Sequence, residues 1–236
     1  MFIFAHLFAG ALLGLIFWHL TNDRRALPLC IAASILPDVT DKSFGLLFPF
    51  VLGGGRTVFH SLMIVGVLLI LCLLLFVRSR LVLLGVGVAC AILLHQVFDE
   101  MWMLTANWFY PLLGPFQGQM IPDYMGVYFW LEITNPSEWL FLIASVVILA
   151  ESYRDMLPIP SSSQTDTIIA SAVTLVAVVL MITGCYLVFT GLTSTTATII
   201  TPLYSQELTV VAGLLAVCGA LVIRWETFDI PQREVP

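Results

Sequence analysis

Charge is what this chain has least of. Lys, Arg, Asp and Glu make up 10% of its 236 residues, and 60% of the chain is hydrophobic. A soluble domain carries about 25% charged residues, so too few remain here to cover a water-facing surface. The scarcity excludes a soluble fold, and with it a disordered chain. The net charge of −6 offers no basic surface to a phosphate backbone, which excludes nucleic-acid binding. No disulfide framework is available either: Cys30, Cys72, Cys90, Cys185 and Cys218 lie singly in apolar runs, with no CxxC pair, and read as small hydrophobes. Residues 1–20 lack the leading positive charge of a signal peptide, since Arg24 and Arg25 come after the apolar stretch. They read as a permanent helix. No repeat or low-complexity tract is present.

What the chain has is apolar runs. The stretches 62–77 and 168–189 contain no charge, and the second is long enough for a ~30 Å hydrocarbon core. The fold class expected is all-α, a polytopic helical membrane protein. Hydropathy predicts about seven crossings, near 2–20, 26–37, 57–77, 81–103, 137–153, 167–190 and 208–224, with Asp38 ending the short second one. Residues 44–52 are too few to cross and read as a re-entrant or interfacial segment, closed by Gly53-Gly54-Gly55. The aromatic, proline-punctuated stretch 105–136 reads as an external loop at headgroup level, either an aromatic belt or a lid contacting lipid. The stretch 155–166 reads as a polar linker. With the N-terminus outside, Arg24, Arg25, Arg78, Arg80, Arg154, Arg224 and Arg233 all fall on the cytoplasmic side, leaving only Lys42 and Arg56 out. The positive-inside rule therefore predicts an external N-terminus and a cytoplasmic C-terminus.

The few ionisable residues are unevenly placed. His6, Asp38, Asp41, His60, His95, Asp99 and Glu100 fall in or at the ends of the first four apolar segments, while the last two crossings have none inside. An ionisable group at a helix centre costs ~2.5–3.5 kcal/mol on insertion scales, so the first half needs these groups for something. His95 and Asp99 share a helix face at i, i+4. They can share a metal ion, the Asp can orient the His, or the pair can simply fix helix packing. Asp38 and Asp41 at a helix end can reach inward as oxygen ligands, Asp38 the deeper, or form a polar turn with Lys42. Arg56 precedes His60 by one turn. Its planar fork suits a phosphoryl or carboxylate oxygen, and the plainer reading is an interfacial anchor. Gly10-xxx-Gly14 allows another helix to approach closely. His19 lies at the opposite end and is left out.

In the N-out arrangement His6, Asp38, His60 and His95 come to one level from four alternating segments. A set of three His with two or three Asp suits Zn²⁺ first, with Mn²⁺ or Fe²⁺ as alternatives, and disfavours Ca²⁺. Five or six ligands allow a two-metal centre.

His6, Leu36-Pro37-Asp38 with Asp41-Lys42, Gly55-Arg56 with His60-Ser61-Leu62, and His95-xxx-Asp99 together resemble one family. It is that of the predicted membrane-bound metal-dependent hydrolases, also described as LexA-binding, inner-membrane-associated hydrolases. The resemblance covers about residues 1–115, taken as a metal-site membrane domain, with 116–236 as external loop and added helices. Many members read Pro-Asp-x-Asp-His. Here the second carboxylate is moved by one residue to Asp41 and Lys42 replaces the His. A looser similarity is to zinc-dependent phospholipase C. These resemblances imply a hydrolase of the inner membrane acting on a phosphoester of a lipid or lipid-linked substrate. One or two ions would be held by His6, Asp38, His60, His95 and Asp99. Arg56 would neutralise the phosphate, and Asp41 or Glu100 would serve as general base. The competing expectations are a non-catalytic scaffold or regulator and a metal-ion transporter. Transport would need polar residues continuing to the other face, and these helices supply almost none.

Overall fold

A computed structural model describes residues 3–47, 55–76, 80–116, 124–158, 162–195 and 205–229. Every regular element among them is helical. In chain order these are α1 (Ile3–Thr21), α2 (Ala26–Pro37), α3 (Ser43–Leu47), α4 (Leu62–Phe76), α5 (Arg80–Phe98), α6 (Thr105–Trp108), α7 (Tyr124–Thr134), α8 (Pro136–Ser152), α9 (Ser163–Leu192) and α10 (Gln206–Asp229). Short 3₁₀ turns lie at Val58–His60, Met101–Met103 and Arg154–Met156. The described residues belong to two compact units, Met1–Thr134 and Asn135–Pro236.

Among the described residues four stretches are long and apolar enough to cross a membrane: Ile3–Thr21, Arg80–Phe98, Ser163–Leu192 and Gln206–Trp225. The helices α2, α4 and α8 coincide with three further expected crossings but have only 12, 15 and 17 residues. Apolar side chains cover α4 on all sides. Ile70, Leu71, Leu73, Leu74 and Leu75 are exposed there, a surface stable in lipid rather than water.

Three sequence expectations change. Asp38 does not end the second segment. The chain continues as a turn of π-helix, Asp38–Lys42, and then as α3, which is the described part of the expected re-entrant segment; residues 48–54 lie outside the described residues. The fourth crossing stops at Phe98 rather than running to 103. Glu100 adopts φ 54°, a left-handed conformation that terminates a helix, and the chain turns back through Met101–Met103 into α6. The stretch 105–136 is likewise more than loop. It contains α6 and α7, and Glu132 on α7 accepts the Ile3 and Phe4 N–H groups at 3.1 and 3.2 Å. That carboxylate caps the open N-terminus of α1, where the helix dipole favours negative charge.

In the first unit, α1, α2, α4 and α5 pack with alternating direction. The α1–α2 approach depends on glycine. A Cβ at position 10 would lie 2.4 Å from Ser34 Oγ, and one at position 14 would lie 2.7 Å from Leu27 Cα. Small residues continue this packing, with Cys30, Ala33, Val65, Ala89, Ala91 and Ile92 in one buried cluster. At the other end of α1, the Asp23 carboxylate accepts from Arg25 Nε at 3.0 Å and from its backbone N–H at 2.9 Å. Those bonds hold the carboxyl down to about 2. In the second unit, Asn135 caps α8 by accepting the Ser137 N–H. The α9–α10 pair closes on Gly184 and Gly213, where a Cβ at 184 would meet the Gly213 carbonyl at 2.7 Å.

Candidate metal centre

The alternating helices bring four chain segments to one end of the first unit. The N-terminal turn of α1 carries His6, and the π-turn after α2 carries Asp38 and Asp41. The 3₁₀ turn before α4 carries His60, and the last turn of α5 carries His95 with Asp99 just beyond it. All six side chains are buried. Asp38, His60, His95 and Asp99 each offer a ligand atom, and these atoms lie within 4.8 Å of one another.

The ring nitrogens give the group its character. His95 Nδ1 lies 2.7 Å from the Ser34 carbonyl, which can only accept, so that nitrogen carries the proton. His60 Nδ1 lies 2.8 Å from Asp41 Oδ2 and donates to it in the same way. In its neutral form each ring then presents a bare Nε2, and the two Nε2 atoms face each other at 3.1 Å. Two lone pairs at that distance repel; a cation between them, either a proton or a metal ion, removes the conflict. The carboxylates decide how many partners that cation has. Asp38 Oδ1 lies 3.6 Å from His60 Nε2 and 3.7 Å from His95 Nε2, and it accepts no hydrogen bond although buried. Asp99 Oδ2 lies 3.6 Å from His60 Nε2. Donors ~2.0–2.1 Å from a shared tetrahedral centre stand ~3.3 Å apart; the separations just given, 3.1 to 3.7 Å, bracket that figure within a group that spreads to 4.8 Å. A proton bridges two atoms. A metal ion of the kind that accepts mixed nitrogen and oxygen donors could be held by all four.

The other expected site residues stand around this group. His6 Nε2 contacts Asp99 Oδ1 at 3.1 Å, and its ring stacks on His95 with centroids 4.0 Å apart. It lies beside the four donors and orients one of them. Asp41, expected as a general base, is taken up as an acceptor. Its Oδ2 receives the Thr57 N–H at 2.7 Å, the His60 N–H at 3.1 Å and the His60 ring, while Oδ1 receives the Phe59 N–H at 3.3 Å. Arg56 pairs with Asp99 Oδ2 at 3.2 Å and keeps 34% of its side chain exposed. Lys42 pairs with Asp38 Oδ2 at 2.6 Å rather than with Asp41. Glu100 follows Asp99 at the left-handed turn, half-buried.

Several supporting residues are absent from the sequence reading. Gln96 Nε2 donates to the Phe59 and Ser61 carbonyls, both at 3.0 Å, and its Oε1 accepts from the Trp108 indole at 3.0 Å. Asn107 Nδ2 donates to the Arg56 carbonyl at 2.8 Å. Together they clamp 56–61 against α5 and α6 and so fix His60. Gln96 had a signal, being a polar residue inside an apolar helix beside His95. Ser34 had none, because it acts through its carbonyl.

A family model described as YdjM inner membrane protein matches residues 1–197. The match includes every residue of the four-donor group and continues through α9, well past the 1–115 of the sequence resemblance. Among curated proteins and among solved structures, none matches the chain significantly. Apolar spanning helices and a family match over most of the sequence lead to one assignment: the chain belongs to the YdjM inner membrane protein family.

Proposed function

We propose that this protein is a membrane-embedded, metal-dependent hydrolase that cleaves a phosphoester of a lipid or lipid-linked substrate. The observation that carries the reading is the pair of histidines whose Nδ1 atoms are anchored outward and whose bare Nε2 atoms converge beside the unbonded Asp38 Oδ1. This is the arrangement by which outer hydrogen bonds fix the tautomer and aim of ligating imidazoles. Asp38, His60, His95 and Asp99 would hold one or two divalent ions, with zinc the best match to the donor set. Such an ion, when bound, supplies Lewis acidity and lowers the pKa of water from 15.7 towards ~7.

The chain's own groups do the rest. Asp41 and the Ser34 carbonyl hold the two rings, and His6 holds Asp99. Arg56, partly exposed beside Asp99, can turn its fork to a phosphoryl oxygen and neutralise charge there. Glu100, half-buried next to Asp99, is the carboxylate we assign to proton transfer, since Asp41 is committed to four donors. We place the end where the group lies on the outer side, with seven crossings, because that arrangement puts seven of the nine basic residues inside.

Purified protein is expected to carry near-stoichiometric metal by elemental analysis. His60→Ala and Asp99→Ala should each lower it to background and abolish cleavage across a panel of lipid phosphoesters. A well-folded wild type that holds no metal would sink the proposal.

A further inference from the structure

The donor inventory around the centre also limits how many ions it holds. Asp38 divides its two oxygens. Oδ1 faces the histidine nitrogens, while Oδ2 meets the Lys42 ammonium at 2.6 Å. Lys42 is four residues on from Asp38, so the π-turn itself delivers the ammonium to that oxygen. Position 55 makes room for it: a Cβ on Gly55 would come within 2.8 Å of Lys42 Cγ and 3.1 Å of Lys42 Cα. The next carboxylate a second ion would need, Asp41, has both oxygens occupied by N–H donors. Asp99 gives Oδ1 to His6, and its Oδ2, which Arg56 also approaches, is already one of the four converging donors. What remains is one set of converging donors; His6 Nδ1, buried and without a hydrogen bond, belongs to a ring already committed to Asp99 through Nε2. A fixed cation already sits on the outer oxygen of the set's central carboxylate. Lys42 is also the only lysine in the chain.

We infer that the centre takes a single divalent ion per chain, and that the Lys42 ammonium is a permanent second cation in the position where a second ion would bind. The inference rests on the metal-centre reading above and narrows it. Two carboxylates, Asp38 and Asp41, lie buried within one helical turn. Unpaired buried charge is strongly destabilising, and Lys42 offsets it whether or not the ion is present. The same ammonium repels an ion arriving at Oδ1, so it sets the affinity as well as the stoichiometry.

The test is calorimetric titration of the detergent-purified, metal-stripped full chain with Zn²⁺, together with elemental analysis. Wild type should saturate at one ion per chain. Lys42→Met, which keeps the stem and drops the charge, should bind its ion at least ten-fold more tightly. Lys42→Arg, which keeps the charge, should stay within about three-fold of wild type. Should stripped Lys42→Met be too unstable to titrate, its melting temperature with and without Zn²⁺ replaces the isotherm. The metal-induced rise should then exceed that of wild type, because added ion restores the missing positive charge. Saturation of wild type at two ions overturns the inference and leaves the metal centre standing. Equal affinity, or an equal rise in melting temperature, for Lys42→Met and wild type overturns the role of Lys42. Absence of Zn²⁺ binding in wild type removes the metal centre itself.

Discussion

Asp41 shows how one carboxylate can be indispensable to a site it does not enter. It receives three backbone N–H groups and the His60 ring, so it both shapes the 57–60 turn and fixes which His60 nitrogen is bare. Replacing it with Asn keeps the size but puts an NH₂ where one of those acceptors was. Outer partners of this kind are worth 10–100-fold in metal affinity. Asp41→Asn should therefore retain metal at saturation while binding it about 10–100-fold more weakly, as read by competition with a chelator of known affinity. Complete loss would instead place Asp41 among the ligands. At this scale much was legible in the sequence: in a chain with so few charges, each ionisable residue inside an apolar run had to be placed for a reason. Which residue sits in which layer was not legible. The spacing of Asp38 and Asp41 is the same whether the second carboxylate binds a metal or a histidine, and the Ser34 carbonyl has no side-chain signature at all.

Elements turn those residues into a cluster, and two devices account for it. Pro37 removes a backbone donor near the end of α2, and the chain answers with a π-turn, a distortion common at functional sites. That turn carries Asp38, Asp41 and Lys42 without ending the helical path. Hydropathy read the polar cluster as a stop because it weighs side chains and not backbone continuity. The second device is Gly10 and Gly14, whose spacing did predict close approach of a helix, though not which one. It is α2, and the approach sets how far Ser34 and Asp38 stand from α1. In Gly10→Leu the new side chain would start 2.4 Å from Ser34 Oγ and 2.8 Å from the Cys30 carbonyl, so the helices must separate. Overpacking of this order costs ~1–3 kcal/mol. We expect a lowered melting temperature in detergent and a loss of metal in the same variant, since Ser34 leaves His95 as α2 moves. A variant with lowered stability and full metal content would show that the α1–α2 distance does not govern the site.

At the scale of the whole molecule, the number of crossings decides on which side the site opens. Among the described residues four stretches are long and apolar enough to span, and an even number of crossings puts both termini on one side. Seven crossings put them on opposite sides, so the short helices hold the answer. Helix α2 has 12 residues, yet with the π-turn and α3 the helical path runs from Ala26 to Leu47. At 1.5 Å per residue that path is about 33 Å, enough for a ~30 Å core. Helix α4 has 15 residues, about 22 Å. It is preceded by the turn that bears His60, so a crossing at this position would include the buried site itself. Helix α8, with 17 residues, is at the lower end of what spans. Each short helix is thus either extended by irregular backbone or just long enough, and irregular backbone at membrane depth is tolerated where protein buries it. The site sits at the end where α1 begins, so its side of the membrane is that of the N-terminus. Epitope tags placed at the two termini should then respond oppositely to protease. In intact spheroplasts the N-terminal tag is cut and the C-terminal tag protected; in inverted membrane vesicles the pattern reverses. Tags cut together from one side would return the count to an even number. If that side were the interior, the proposed substrate would have to be a lipid of the cytoplasmic leaflet.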